Sequence, residues 1–151
     1  MVISETGKRK RPMKTYILDS YAVLCLFDKK RKREKDAVVK LLEQAEKGKF
    51  SLFLSKISEG EIFYRLYKHL GPQFALGFRE DLKAGLFPIC VVSVNDKRAE
   101  EASIIKAKYP VSYADAFCIA LAKETNHPAI TGDPEFDSVR DFVTVVPLVG
   151  G

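Results

Sequence analysis

Short apolar runs alternate along this chain with longer segments in which apolar side chains recur every three or four positions. The runs that predict strands are 16–18, 51–54, 87–94, 129–131 and 143–146. The segments that predict helices are 21–27, 34–47, 58–70, 72–84, 96–108 and 112–124. This alternation predicts an α/β domain with a mostly parallel sheet of about five strands. The apolar character of 87–94 further predicts a strand that is buried on both faces.

The composition is typical of a soluble globular domain. The chain has 151 residues, of which 46% are hydrophobic and 30% charged, so it is long enough to bury its own core. Cys25, Cys90 and Cys118 each lie in an apolar stretch without C-x-x-C spacing, which predicts three buried free thiols and a reducing, cytoplasmic compartment. No run approaches the roughly 18 apolar residues of a membrane helix, so neither a membrane-spanning nor a secreted protein is expected.

The formal net charge of +5 is unevenly distributed. Residues 1–12 carry four basic residues against one acidic residue, and we expect them to form an unstructured basic arm ahead of a single folded domain over 13–151. A second basic cluster consists of Lys29, Lys30, Arg31, Lys32 and Arg33. Such clusters are more often a solvated surface than a binding patch, but they are compatible with nucleic-acid phosphates, and the five residues of the second one are candidate nucleic-acid ligands.

Four acidic residues stand at predicted strand ends or helix starts. Asp19 follows the first strand, Glu61 and Asp115 lie early in helices, and Asp133 follows the fourth strand. Sites in parallel sheets form beyond the carboxyl ends of the strands, so we expect these side chains to converge. Four gathered carboxylates repel one another unless a hard divalent cation such as Mg²⁺ or Mn²⁺ offsets the repulsion. The pattern therefore predicts metal-assisted hydrolysis.

Helix capping is the alternative explanation for each acid taken alone. Ser58 and Ser112 stand three residues before two of the acids, which matches the S-x-x-[DE] capping box. The acids that follow the first and fourth strands could cap the helices after them, and Pro134 suits the first position of such a helix. The combination of all four acids at one sheet edge favours the metal site.

Other polar residues near the four acids are candidates for supporting roles. The hydroxyls of Ser20, Ser112 and Thr131 could orient bound water or cap helices. Asp137 could add a ligand or face solvent. Glu59 competes with Glu61, but two residues differ by about 200° around a helix, so both cannot face one site.

Three segments together resemble a PIN-domain ribonuclease of the VapC toxin type: YILDSYAVL, ISEGEIFYRL and VSYADAFCIALAKETNHPAITGDPEF. The resemblance spans about 14–146, and the third segment carries its most specific motif. It implies a three-layer α/β/α sandwich with a metal site formed by Asp19, Glu61, Asp115 and Asp133. It also implies one or two Mg²⁺ or Mn²⁺ ions, an RNA substrate, a cognate antitoxin that inhibits the enzyme, and a homodimer.

Rival interpretations come from other functional classes. A phospho-acceptor receiver domain would need adjacent acids after the first strand and a lysine after the last, but Ser20 and Tyr21 follow Asp19. His69 and His127 lie far apart and support no zinc site, and no phosphate-binding glycine loop or serine-hydrolase motif is present. A housekeeping PIN nuclease or an RNA-binding module would have the same fold. The four acids argue for catalysis, but a toxin and a housekeeping nuclease would both have them.

Overall fold

A computed structural model describes residues 14–150, which fold around one parallel sheet. Its strands are β1 (Thr15–Leu18), β2 (Ser51–Ser55), β3 (Cys90–Val92), β4 (Ala129–Thr131) and β5 (Val145–Pro147). The strand order is β3-β2-β1-β4-β5, and every neighbouring pair is parallel. The predicted α/β class and five-stranded sheet are confirmed, and the register places Leu18 opposite Leu54 and Ile130.

Six α-helices connect or follow these strands. They are α1 (Ser20–Leu24), α2 (Lys32–Glu46), α3 (Lys56–Leu70), α4 (Pro72–Lys83), α5 (Asp96–Lys108) and α6 (Tyr113–Thr125). Two short 3-10 helices cover Cys25–Phe27 and Pro134–Val139. The basic arm predicted over 1–12 lies outside the described residues. Among the described helices, none has the length and apolar content needed to cross a membrane.

The sheet separates two apolar cores, because successive residues of a strand point to opposite faces. Ile17 belongs to the core that α5, α6 and the second 3-10 helix cover, whereas Leu18 belongs to the core that α1, α2, α3 and α4 cover. Residues 115–122 of α6 are buried without interruption, as expected for a helix packed under the centre of a sheet. The three-layer arrangement implied by the resemblance is confirmed.

The third helix begins earlier than the sequence predicts. Ser55, the last residue of β2, is the N-cap of α3, and its hydroxyl accepts a hydrogen bond from the backbone N–H of Ile57 at 3.2 Å. Ser58 is therefore a buried residue inside the helix, and the predicted capping box with Glu61 is wrong. Because β2 passes directly into α3, no intervening loop marks the helix start in the sequence.

The strand predicted over 87–94 is shorter and more exposed than expected. Only Cys90–Val92 pair with β2, and β3 lies at the edge of the sheet with one neighbouring strand. Cys90 is exposed, so the prediction that this thiol is buried is wrong, whereas Cys25 and Cys118 are buried as predicted. Pro88 has no backbone N–H to donate to a ladder, which is consistent with the late start of this strand.

The Ser55 cap can be tested through stability. We expect Ser55→Ala to lower the free energy of unfolding by about 1 kcal/mol, because it leaves a helical N–H without its acceptor. Ser103→Ala is the control: Ser103 lies exposed inside α5, where alanine is the better helix former, so stability should stay equal or rise slightly. Urea denaturation of both variants measures the difference, and equal stabilities would contradict Ser55 as the cap.

Candidate active site

The carboxyl edge of the sheet brings the predicted acids together. A cavity of about 380 Å³, here called the acidic pocket, opens at this edge. Its polar lining includes Ser20, Glu61, Ser112, Asp115, Asp133 and Glu135. Asp19 has no exposed surface and is linked to this lining through Thr131. The convergence expected from strand ends is therefore seen in the structure.

Asp19 is a fully buried carboxylate at the start of α1. Its Oδ1 accepts a hydrogen bond from the backbone N–H of Ala22 at 2.8 Å, so Asp19 caps α1. The hydroxyl of Thr131 donates to its Oδ2. Burial raises the pKa of Asp19 to about 7, the two hydrogen bonds oppose that rise, and the charges of Asp115 and Asp133 add to it.

Thr131 connects two of the acids. While its hydroxyl donates to Asp19, the same oxygen accepts a hydrogen bond from the backbone N–H of Asp133 at 2.9 Å. Asp133 in turn caps the second 3-10 helix, because its Oδ1 accepts from the N–H of Glu135 at 2.9 Å and Pro134 occupies the first helical position. These bonds fix the position of Asp133 relative to the buried acid.

Asp115 lies in the first turn of α6. The Ser112 hydroxyl accepts a hydrogen bond from the Asp115 backbone N–H at 3.1 Å, so Ser112 is the N-cap of α6, as predicted. The Asp115 side chain faces the acidic pocket although the residue is only 7% exposed. Burial raises the pKa of Asp115 to about 7, a hydrogen bond with Ser112 opposes the rise, and repulsion from Asp133 and Glu61 adds to it.

Glu61, rather than Glu59, faces the acidic pocket. The Ser20 hydroxyl donates to Glu61 Oε1 at 2.6 Å, and Arg65 Nε lies 3.1 Å from Oε2. Glu59 instead binds Lys56 Nζ at 2.8 Å and Arg79 Nε at 2.9 Å. Burial tends to raise the pKa of Glu59, but these two cationic partners outweigh it and lower the pKa.

Glu135 is a site residue that the sequence reasoning missed. One carboxylate oxygen from each of Asp115, Asp133 and Glu135 lies within 4.8 Å of the others. Asp137, for which a ligand and a solvent-facing role were both open, is exposed and pairs with Arg140 at 2.8 Å. Asp133 is the N-cap just outside the 3-10 helix Pro134–Val139, and its carboxylate accepts from the Glu135 N–H, so these two acids meet although they are only two residues apart. In the sequence, the Asp133-Pro134 pair indicates a helix start, and Glu135 is an acid in its first turn.

The predicted basic cluster divides between different surroundings. Arg31 lines the acidic pocket, binds Glu34 Oε2 at 2.9 Å and lies over the Tyr21 ring at 4.9 Å from its centroid. Lys29 and Lys30 line a neighbouring cavity. Lys32 and Arg33 are exposed in the first turn of α2. Nucleic-acid binding by the cluster stays a prediction.

Gly132 permits a close approach between the Asp133 loop and α1. A Cβ atom on Gly132 would overlap Cε1 of the Tyr21 ring and lie only 3.0 Å and 3.1 Å from Cδ1 and Cζ. Tyr21 is itself held, because its hydroxyl donates to Glu34 Oε2 at 2.7 Å. The Tyr21 ring thus supports the loop that carries Asp133, and only glycine leaves room for it.

The donor set of the site fits a divalent cation. Among the described residues, no lysine or arginine forms an ion pair with Asp19, Asp115, Asp133 or Glu135. Carboxylate oxygens are the donors that Mg²⁺ and Mn²⁺ prefer, and a bound cation would supply the positive charge that the protein does not. Asp115, Asp133 and Glu135 are the residues close enough together to share such an ion.

The comparison with known families agrees with this geometry. The model of the PIN domain matches residues 16–141, which is most of the chain. The chain belongs to the PIN-domain family. No functionally curated protein sequence matches it.

Solved structures share the fold of this PIN domain. The DNA-bound VapBC from Salmonella typhimurium superposes with a TM-score of 0.70 at 17% identity, covering 91% of this chain and 100% of that chain. VapC20 from Mycobacterium tuberculosis, a toxin that cleaves the sarcin-ricin loop, gives a TM-score of 0.69 at 18% identity, covering 87% and 99%. At such identities the likeness establishes the VapC-like fold.

The contact between Tyr21 and Gly132 in this PIN domain makes a prediction for stability. We expect Gly132→Ala to lower the free energy of unfolding by about 1–3 kcal/mol, because the Tyr21 ring must move. In a Tyr21→Ala background the same change should cost much less, and the difference measures the coupling. Gly77→Ala is the control: nothing lies within 4 Å of its Cβ position in α4, so it should stabilise the protein by up to about 1 kcal/mol. Equal costs in both backgrounds would refute the contact.

The raised pKa values predict how the stability of the metal-free protein depends on pH. Because Asp115 titrates near 7 in the folded state and near 3.8 when unfolded, the folded state binds the extra proton between these values. Stability in chelator should therefore fall as the pH rises from about 5 to about 7. Asp115→Asn should lose on the order of 2 kcal/mol less over this range. Asp36→Asn, an exposed acid on α2, should follow the wild type; parallel curves for all three proteins would contradict the raised pKa.

Proposed function

We propose that this PIN domain is a divalent-metal-dependent endoribonuclease and the toxin of a VapBC-type toxin–antitoxin pair. One observation carries the proposal: Asp115, Asp133 and Glu135 gather without cationic partners among the described residues, beside the buried Asp19. Such an arrangement destabilises a protein that does not bind a cation there. A metal site for hydrolysis is the function that best accounts for this electrostatic repulsion.

The residues of the acidic pocket would have different roles in hydrolysis. One or two Mg²⁺ or Mn²⁺ ions, when bound, would lower the pKa of a water molecule and stabilise negative charge on the phosphate. Asp115, Asp133 and Glu135 would hold the cation, and Asp19, linked to them through Thr131, would add its negative charge to the site. Glu61, which lines the same pocket and is oriented by the Ser20 hydroxyl at 2.6 Å, would bind the cation or accept a proton from the water.

The pocket offers no competing nucleophile. The described residues that line it include no histidine. The Ser20 hydroxyl donates to Glu61, and the Ser112 hydroxyl is engaged in capping α6. Burial raises the pKa of the Cys25 thiol to about 11, so the reactive thiolate is scarce at neutral pH. A water molecule is therefore the nucleophile that the site supports.

The structural relatives supply the proposed substrate and partners. They include toxin–antitoxin complexes and a toxin that cleaves the sarcin-ricin loop. By this likeness we propose RNA as the substrate, a cognate antitoxin as the inhibitor, and a homodimer as the assembly. The buried free thiols of Cys25 and Cys118 are consistent with a reducing compartment such as the cytoplasm.

Cleavage of RNA in the presence and absence of metal tests the proposal. Purified protein should cleave single-stranded RNA with Mn²⁺ or Mg²⁺ and stop in excess chelator. Asp19→Asn should lose on the order of 10²-fold in rate while keeping its fold by circular dichroism, because asparagine keeps the size but not the charge. Glu135→Gln should raise the Mn²⁺ concentration needed for half-maximal rate by about 10-fold or more. Glu100→Gln, an exposed acid on α5, is the matched control.

Two outcomes would contradict the proposal. Cleavage that persists under stringent chelation would remove the metal from the mechanism. Wild-type metal dependence in Glu135→Gln would leave the hydrolase intact but exclude Glu135 from the metal ligands.

A further inference from the structure

A second cavity adjoins the acidic pocket. It has a volume of about 580 Å³ and shares three lining residues with that pocket: Leu24, Asp28 and Arg65. The two cavities are therefore direct neighbours. We call the second cavity the side groove, which lies between the first 3-10 helix with its following loop and the last two turns of α3.

The floor of the side groove is apolar. Phe27, Leu66 and Leu70 line it, and Leu70 remains 48% exposed although it is a large aliphatic side chain. Phe27 is fixed by edge-to-face contacts with Phe74 and Phe78, at centroid distances of 5.4 Å and 5.2 Å. The floor is thus a rigid apolar surface that solvent reaches.

The rim of the side groove is basic, in contrast to the acidic pocket. Lys29, Lys30, Arg65 and His69 line it together with a single acid, Asp28. Asp28 is already paired with Arg31 at 3.3 Å. The amino groups of Lys29 and Lys30 form no ion pair with any described residue. Two cations are therefore free to bind an anion.

An apolar floor with a basic rim matches the two halves of a nucleotide. Bases stack on apolar and aromatic side chains, and phosphates bind lysine and arginine. Since the proposed metal site takes the scissile phosphate, the next nucleotide of the same strand must lie in an adjoining depression. We propose that the side groove is the subsite for a nucleotide that flanks the scissile phosphate in single-stranded RNA. Its base would lie on Phe27 and Leu70, and its phosphate beside Lys29 and Lys30.

The positive charge of the rim favours RNA over an apolar protein segment as the occupant of the side groove. A peptide could cover the floor, but it would leave the amino groups of Lys29 and Lys30 without anionic partners unless it supplied acids in register. A polynucleotide supplies one phosphate per nucleotide along its whole length. The inference rests on the proposed nuclease function and extends it to the residues that contact the substrate beside the cleaved bond.

RNA binding measured against salt concentration tests the subsite. The probe is a fluorescein-labelled 12-nucleotide RNA of random sequence, bound to Asp19→Asn protein so that cleavage does not interfere. We expect Lys29→Gln/Lys30→Gln to raise Kd about tenfold at low salt and to flatten the slope of log K against log salt by about 1.4, which corresponds to two phosphate contacts on a single strand. The readout is fluorescence anisotropy at roughly 50–300 mM KCl, a range in which affinity for nucleic acid depends strongly on salt concentration.

Lys47→Gln/Lys49→Gln is the matched control. It removes the same charge, but these lysines follow the C-terminal end of α2 and precede β2, so they lie at the opposite edge of the sheet. The 15 residues of α2 place them roughly 20 Å from the basic cluster along the helix axis. The control pair should leave the salt slope unchanged.

The apolar floor has a separate test. Leu70→Glu puts a negative charge into the side groove and should weaken RNA binding at least about fivefold, as loss of one stacked base does. Leu86→Glu is the control, because Leu86 is 68% exposed in the turn before β3 and does not line the groove. Both variants change an exposed leucine, so both are expected to fold, which circular dichroism verifies.

The outcomes separate this inference from the proposed function. If wild-type protein cleaves RNA with metal while Lys29→Gln/Lys30→Gln and Leu70→Glu bind it like their controls, the subsite is wrong and the nuclease stands. The groove would then belong to another ligand, such as a protein segment. If wild-type protein neither binds nor cleaves RNA, the proposed function fails and the subsite fails with it.

Discussion

The burial of the Asp19 carboxylate without a cationic partner is the constraint on which the rest of the site depends. Its two oxygens are satisfied by one backbone N–H and one hydroxyl, those of Ala22 and Thr131. Neither donor carries a full charge, so desolvation still raises the pKa to about 7. The N-terminus of α1 and the end of β4 must therefore stay close together, and this closeness brings Asp133 to the same edge as Asp19.

Capping and chemistry are not alternatives at this edge. Asp19 caps α1, Asp133 caps the second 3-10 helix, and Asp115 follows the Ser112 cap of α6. Yet Asp115 and Asp133 line the acidic pocket, and Asp19 is linked to that lining through Thr131. Helix N-termini present unpaired N–H groups and a partial positive charge, both of which stabilise nearby carboxylates. A parallel sheet places the starts of its following helices at one edge, so the same geometry that requires caps also concentrates acids there.

The sequence predicted the elements and the four principal acids because these depend on local pattern and on strand ends. The predictions were wrong or incomplete where contacts between distant parts of the chain determine the structure. Ser55 and Ser58 are both good N-caps by residue type, and only the direct passage of β2 into α3 selects the first. Cys90 lies in an apolar run like the other cysteines, but its exposure depends on the edge position of β3. Glu135 was missed because residues two apart in a helix face different directions, whereas Asp133 is an N-cap outside the helix and its carboxylate turns toward the Glu135 N–H.

The direction of the pKa shifts has a consequence for how the site stays assembled. A carboxylate with a raised pKa can take up a proton, which removes the repulsion that a cation would otherwise neutralise. The hydrogen bonds of Thr131, Ser112 and Ser20 hold the acids in place whichever form of compensation is present. Protons and divalent cations should therefore compete for one preformed cluster, and the affinity for metal should rise with pH through the range in which Asp19 and Asp115 ionise.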